Sequence, residues 1–256
     1  MDCQNLFWIL ENVSFNKATT YGVVFQTATL GLYEKLKLPL PYSAADKEPT
    51  LILIWGGASM YNNDIAGLQL LRHHYIIIAS VGTIVIQLTK LSGLTVIMTA
   101  SPQNAEYLKS LSADYVFPYN DPNTLAEIKK LTNGKLYLGY NTISEKGTTQ
   151  LIINAFGSDS DIPEGKKKEL INLLYIPLGA LDEKAASVTR FKILAYTMFG
   201  VEVIVYGVHL VVSWSDYTFS IRSYEMLERL LEEKKIQHQK VKVMGGLEYV
   251  SKDSCT

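Results

Sequence analysis

Two cysteines and four histidines among 256 residues leave little material for a disulfide framework or a metal centre. Cys3 and Cys255 stand at opposite ends, and the pair His73-His74 has no cysteine or carboxylate cluster around it. Adjacent residues of a helix or strand point apart, so that pair is read as structural. Excess charge is lacking too. Lys and Arg number 24 against 25 Asp and Glu, a formal net charge of −1, which gives no electrostatic footprint for nucleic acid or an anionic membrane. Lys166-Lys-Lys168 reads as a solvated helix entrance rather than a binding patch. Long apolar runs are missing: Tyr75 to Leu88 falls short of the roughly 20 residues a membrane helix needs. Val201 to Val212 is shorter and carries Glu202 and His209. Met1-Asp-Cys-Gln-Asn5 has no basic residue ahead of its apolar neighbours, so no signal peptide is expected. These absences lead to the expectation of a soluble, cytoplasmic protein in a reducing compartment.

What is present is a hydrophobic content of 48% in a chain long enough to bury a full core. One stretch organises it. Leu51-Ile-Leu-Ile-Trp-Gly-Gly-Ala-Ser59 reads as a buried strand ending in a glycine turn, Gly82 to Ser92 as an amphipathic helix, and Thr95-Val-Ile-Met-Thr99 as a second strand. Strand, glycine turn, helix and strand are the order of a βαβ dinucleotide-binding unit. Residues 60–79 interrupt the turn. The ending Gly-Lys-Ser/Thr of a P-loop is missing, and no serine stands in the strand-elbow setting of a Ser-His-Asp hydrolase.

Ahead of this unit, Ser14 is placed to cap a helix over Phe15 to Leu36, stopped by Lys37-Leu-Pro-Leu-Pro41 and succeeded by a linker to Thr50. Behind it, Pro102 to Leu111 reads as a helix, Asp114 to Phe117 as a strand, and Thr124 to Leu131 as a helix ended by Asn133-Gly134. Lys135 to Tyr140 is expected as a strand, Thr148 to Phe156 as a helix, and Leu170 to Leu178 as a strand reaching Gly179. Periodicity leaves Val201 to Val212 open between strand and helix, whereas Tyr224 to Lys235 is an amphipathic helix. Alternating strands and helices on short links predict an α/β fold, a doubly wound parallel sheet of Rossmann type. The expected divisions are a helix and linker over 1–49, a nucleotide-binding domain over 50–200, and a C-terminal segment over 201–256.

A pyrophosphate at the first βα turn needs backbone N–H groups aimed at it and residues small enough to let it approach. Gly56, Gly57, Ala58 and Ser59 supply these on one side of the interruption, and Ser80, Val81, Gly82 and Thr83 on the other. With 60–79 set aside, the turn reads Gly-Gly-Ala-Ser-Ser-Val-Gly, with the helix beginning directly after it. An acidic residue at the end of the second strand would hold the 2′-hydroxyl of NAD and repel a 2′-phosphate. Here that strand ends in Thr99-Ala-Ser101, with Asn104 nearby and no carboxylate before Glu106, which favours NADP(H).

Taken together, several segments resemble the zinc-independent branch of the medium-chain dehydrogenase/reductase superfamily, in particular fungal quinone-oxidoreductase-like and trans-acting enoyl reductases. They are Glu11-Asn-Val-Ser-Phe-Asn-Lys-Ala-Thr19, Gly31-Leu-Tyr-Glu-Lys-Leu-Lys-Leu-Pro-Leu-Pro41, Trp55-Gly-Gly-Ala-Ser59, Ile86-Gln-Leu-Thr-Lys-Leu-Ser-Gly93, Ser101-Pro-Gln-Asn104, Lys109 to Asp114, Phe117-Pro-Tyr-Asn120, Asn141-Thr-Ile-Ser144 and Gly245-Gly-Leu247. The resemblance implies hydride transfer from NADPH to an activated C=C or C=O of a small-molecule or carrier-bound acceptor. It places the pyrophosphate at Gly56–Ser59 and Ser80–Thr83, the 2′-phosphate at Ser101, Asn104 and Tyr119, and the nicotinamide near Leu178 and Gly179. Ser112 stands where the family usually has glycine, and Asn141 where it usually has aspartate. The family begins with a GroES-like catalytic domain, most of which this chain is expected to lack, and it has no segment like 60–79. We hypothesise that this segment derives from a retained intron, since Ser59-Met-Tyr61 can be encoded with the donor sequence GTATGT. The competing expectation is a non-catalytic nucleotide-binding remnant or the product of a damaged gene.

Overall fold

A computed structural model describes residues 7–43, 50–57, 69–205 and 208–239. Six strands, β1 (Leu51–Trp55), β2 (Thr95–Ala100), β3 (Tyr115–Pro118), β4 (Leu138–Asn141), β5 (Lys168–Asn172) and β6 (Val188–Lys192), form one sheet in the order β3-β2-β1-β4-β5-β6. Each pairing is parallel. Neighbouring residues of a strand face opposite ways, so Ile52 and Ile54 of β1 enter one core layer, Leu53 and Trp55 the other. The expected doubly wound sheet is therefore present. Its order reverses at β1, flanked by β2 and β4, and such a switch point opens a crevice at the C-terminal strand ends.

The helices are α1 (Phe15–Ala18), α2 (Gly22–Thr29), α3 (Gln69–Leu91), α4 (Ala105–Ser110), α5 (Thr124–Thr132), α6 (Thr148–Ala155) and α7 (Trp214–Glu232). Residues of α2, α3, α4 and α7 share one core layer, and those of α5 and α6 the other. A π-helical stretch, Leu30–Lys35, continues α2. Its Gly31 lies flat on the Tyr140 ring, where an added Cβ would stand 2.6 Å from Cε2. The buried Tyr140 hydroxyl donates to the Thr27 carbonyl at 2.9 Å.

Four expectations are corrected. The helix over Phe15 to Leu36 breaks between α1 and α2, where the Thr19 and Thr20 hydroxyls donate to the Asn16 and Lys17 carbonyls and compete with helical bonding. β5 stops at Asn172 instead of reaching Leu178, because the Leu173 N–H leaves the ladder for the Ser144 hydroxyl and Pro177 has no N–H to offer. The C-terminal helix begins at Trp214, ahead of Tyr224, with the Ser213 hydroxyl accepting from the Asp216 N–H at 3.3 Å. Most consequentially, the helix expected from Gly82 is already present at Gln69, the first residue described after Gly57. No glycine or proline lies between Leu68 and Val81, and extending an existing helix costs far less than starting one. Within Val201 to Val212, where periodicity allows either element, β7 (Val203–Val205) and β8 (Val208–Leu210) pair antiparallel.

Candidate functional site

The switch point is built on close backbone approach. Gly56 leaves β1 at φ +95, and a Cβ there would lie 2.4 Å from Ile143 Cγ1. A Cβ on Gly82 would lie 2.8 Å from the Cα of Gly57, so α3 rests directly on the turn. Val81 and Ile84 are fully buried beside it. The Thr142 hydroxyl, entering from the end of β4, donates to the carbonyls of Trp55 and Gly56 at 2.9 and 2.7 Å. These are the tight turn and close helix-to-strand contact that a dinucleotide fold requires.

Its donors are another matter. The N–H groups of Gly56 and Gly57 both point at the Thr99 carbonyl, at 3.1 and 3.2 Å. Ser80 to Thr83 lie about three turns inside α3, where each N–H is bonded to the carbonyl four residues before it. The Thr83 hydroxyl donates to the Ser80 carbonyl at 2.8 Å, and that carbonyl also receives Gln239 Nε2 at 2.9 Å. Ala58 and Ser59 lie outside the described residues. The described part of the turn does not fit a pyrophosphate, because its backbone N–H groups are engaged with carbonyls.

At the end of β2 the arrangement suits a polar ligand better. Asn104 is buried and donates through Nδ2 to the Ser101 hydroxyl at 2.9 Å. β3 runs alongside with Ala100 opposite Pro118, and the Tyr119 N–H donates to the Ala100 carbonyl at 3.1 Å. Ser101, Asn104 and Tyr119 thus gather at adjacent strand ends, with Tyr119 55% exposed. Gly179, in the short 3-10 turn Leu178–Ala180, is exposed and separated from the end of β5 by residues 173–177.

A buried polar network joins β4 to β5 and is not foreseen as part of the site. Asn141 Nδ2 lies within hydrogen-bonding distance of the Thr148 and Thr149 hydroxyls, at 3.1 and 3.0 Å, and donates to Asn172 Oδ1 at 3.1 Å. Asn141 Oδ1 accepts the Ser144 N–H at 2.9 Å. The signal for it in the sequence is the polar cluster Asn141-Thr-Ile-Ser144 directly after a strand, with Thr148-Thr149 opening the next helix. Among the described residues no group of three or more His, Cys, Asp or Glu is placed to hold a metal ion. Among them, too, no helix is long and apolar enough to cross a membrane.

Known proteins resemble this chain in sequence and in fold. A family model described as zinc-binding dehydrogenase matches residues 80–162. The trans-enoyl reductase ACTTS2 of Alternaria alternata is 34% identical, over 94% of this chain and 60% of that protein. A zinc-type alcohol dehydrogenase-like protein of Schizosaccharomyces pombe is 30% identical, over 98% of this chain and 65% of that protein. Among solved structures, CurK enoyl reductase superposes with a TM-score of 0.67 at 17% identity, covering 97% of this chain and 60% of that one. A quinone oxidoreductase of Pseudomonas syringae superposes at 0.59 and 17% identity, covering 94% and 59%. The chain thus spans about 60% of the length of the relatives it matches. The β3-β2-β1-β4-β5-β6 sheet, the glycine switch point and these relatives agree: the chain belongs to the medium-chain dehydrogenase/reductase superfamily.

Proposed function

We propose that the chain is the coenzyme portion of an NADP(H)-using reductase of the enoyl or quinone type. The reaction of such an enzyme is hydride transfer from the nicotinamide to an activated C=C or C=O of a small-molecule or carrier-bound acceptor. One observation carries this reading: beside the glycine switch point, β2 is followed directly by Ser101, with Asn104 bonded to it and Tyr119 adjacent, where an NAD site would place a carboxylate. Ser101, Asn104 and Tyr119 would face the 2′-phosphate, and Leu178 and Gly179 the nicotinamide. Because the turn N–H groups are engaged, turnover of the chain as it stands is expected to be weak or absent.

The test separates the adenosine end from the rest. Saturation-transfer NMR with adenosine 2′-phosphate and adenosine 5′-phosphate is expected to favour the 2′-phosphate, and equal or reversed preference rejects the NADP(H) reading. A second reading, nucleotide binding without catalysis, is favoured by the engaged donors. Measurable reduction of a quinone or an enoyl thioester by NADPH would reject it.

A further inference from the structure

We propose that the cleft walled by α1, α4 and the end of α7 is a binding site for an organic anion, a molecule with one carboxylate or phosphate head and an apolar body, separate from the coenzyme site. The cleft measures about 500 Å³. Small-molecule sites span roughly 300–1,000 Å³. None of its lining residues belongs to the glycine turn or to the group Ser101, Asn104 and Tyr119.

Its fixed charge is of one sign. Lys17 and Lys234 line it, no aspartate or glutamate does, and neither lysine has an ion-pair partner among the described residues. Both are exposed, which alone would mark them as solvated surface, and Lys234 also suits the carbonyl end of a helix. The floor of the cleft has no such account. Tyr21 lines it with 1% of its surface exposed, and its hydroxyl has no hydrogen-bond partner among the described residues. Tyr140, equally buried, donates its hydroxyl to the Thr27 carbonyl. A buried O–H without an acceptor costs free energy. Burial also pushes the Tyr21 pKa up, so the group stays a donor at neutral pH. An anion oxygen is the acceptor it lacks; a water molecule would accept that bond as well but would leave the lysines and the apolar wall unused.

That wall is Val13, Leu231 and Ile236, the last two buried. It is held in place without a ligand. Asn12 Nδ2 donates to the Leu231 carbonyl at 3.3 Å. Directly after Ile236, the Gln237 N–H donates to Gln87 Oε1 on α3 at 2.6 Å, and the Gln237 carbonyl accepts Gln87 Nε2 at 3.1 Å. A site ordered in advance loses less on binding.

Isothermal titration of the full chain with octanoate, octyl phosphate, octanol and inorganic phosphate reads head and body separately. Octanoate or octyl phosphate is expected to bind saturably at one site, and the tighter of the two identifies the head group. Octanol lacks the charge and inorganic phosphate lacks the body, so each is expected to bind at least about tenfold more weakly. Tyr21→Phe removes only the hydroxyl and should weaken the alkyl anion about tenfold, the worth of a hydrogen bond to a charged acceptor, with an unchanged melt. Lys17→Gln combined with Lys234→Gln should weaken it several-fold and flatten its salt dependence. If Tyr21→Phe melts lower, the lysine pair decides the question. No saturable binding of either alkyl anion overturns the inference, as does octanol or inorganic phosphate binding as tightly, or unchanged affinity in the lysine variant or in folded Tyr21→Phe. Adenosine 2′-phosphate is expected to leave alkyl-anion binding unchanged; displacement would assign the cleft to the coenzyme and overturn it as a separate site.

Discussion

Gly82 and Gly57 meet backbone to backbone: a Cβ on Gly82 would lie 2.8 Å from the Gly57 Cα and 3.0 Å from its carbonyl oxygen. Both atoms belong to main chain held by β1 and β2, so neither can swing away as a side-chain tip could. In a solvated helix, replacing glycine by alanine gains about 1 kcal/mol. Here the methyl must part helix from turn, and overpacking of that kind costs about 1–3 kcal/mol. Gly82→Ala is therefore expected to lose about 1–2 kcal/mol, read as a lower urea midpoint at unchanged m-value. A gain in stability would show that α3 does not press on the turn.

Ser112 lies at φ +78, in the left-handed region where an L side chain crowds its own backbone. The family likeness marks this position as a usual glycine, and the backbone supplies the reason. Ser112→Gly relieves the crowding at the cost of a more flexible unfolded chain, for a net gain of about 0.5–1 kcal/mol. Ser112→Ala keeps the crowding and is expected to bring no such gain. Chemical denaturation of the two variants separates them.

The inner strands β1 and β2 were legible because they are short apolar runs set beside a helix on brief links, whereas β6, Val188-Thr-Arg-Phe-Lys192, was not foreseen because polar residues interrupt it. The ends of elements were less legible. Asn133-Gly134 announced the end of α5 through residues that accept positive φ, as Asn133 does at φ 46 and Gly134 at φ 72. The end of β5 was hidden because Leu173, Leu174 and Ile176 are as apolar as the strand itself, and the stop comes from Ser144, a residue distant in sequence. The start of α3 was hidden for a different reason. The amphipathic pattern after a glycine turn set the helix from Gly82, while the local residues before it favour continuing a helix. The network around Asn141 was missed because each of its members is an ordinary polar residue until β4 and β5 bring Asn141 opposite Asn172.

Glu233 ties the end of α7 to the segment before β1. Its carboxylate accepts from Lys235 Nζ at 2.7 Å, from Arg229 Nε at 2.9 Å and from the Tyr42 hydroxyl at 3.1 Å. The bonds from Lys235 and then Arg229 hold its pKa down at about 2, against 4.5 for an ordinary glutamate. A carboxylate pKa lowered by folding stabilises the folded state above the unfolded value, and that contribution disappears as pH falls through the folded value. The difference in melting temperature between the native chain and Glu233→Gln should thus be present near pH 6 and shrink steadily from about pH 4.5 toward pH 2. The group is exposed, so added salt should shrink it too. A difference independent of both pH and salt would assign the effect to packing of the side chain instead.

Asn141 and Asn172 face each other across β4 and β5, both buried, with Nδ2 to Oδ1 at 3.1 Å. Replacing Asn141 by leucine strands the buried Ser144 N–H and takes one of two donors from Asn172 Oδ1, which keeps the Thr149 hydroxyl at 2.9 Å. An unsatisfied buried group costs about 1–3 kcal/mol, so Asn141→Leu should cost about 2–4 kcal/mol. Asn172→Leu strands Asn141 Nδ2 in the same way, although the Thr148 and Thr149 hydroxyls remain within its reach. The double variant removes both halves of the contact and should cost less than the sum of the two single losses. A coupling of about 1–2 kcal/mol in the double-mutant cycle is the expected result. Additive losses would mean that the two amides are held independently. The joint between β4 and β5 would then rest on Ser144, whose hydroxyl donates to the Asn141 carbonyl and accepts the Leu173 N–H, both at 2.9 Å.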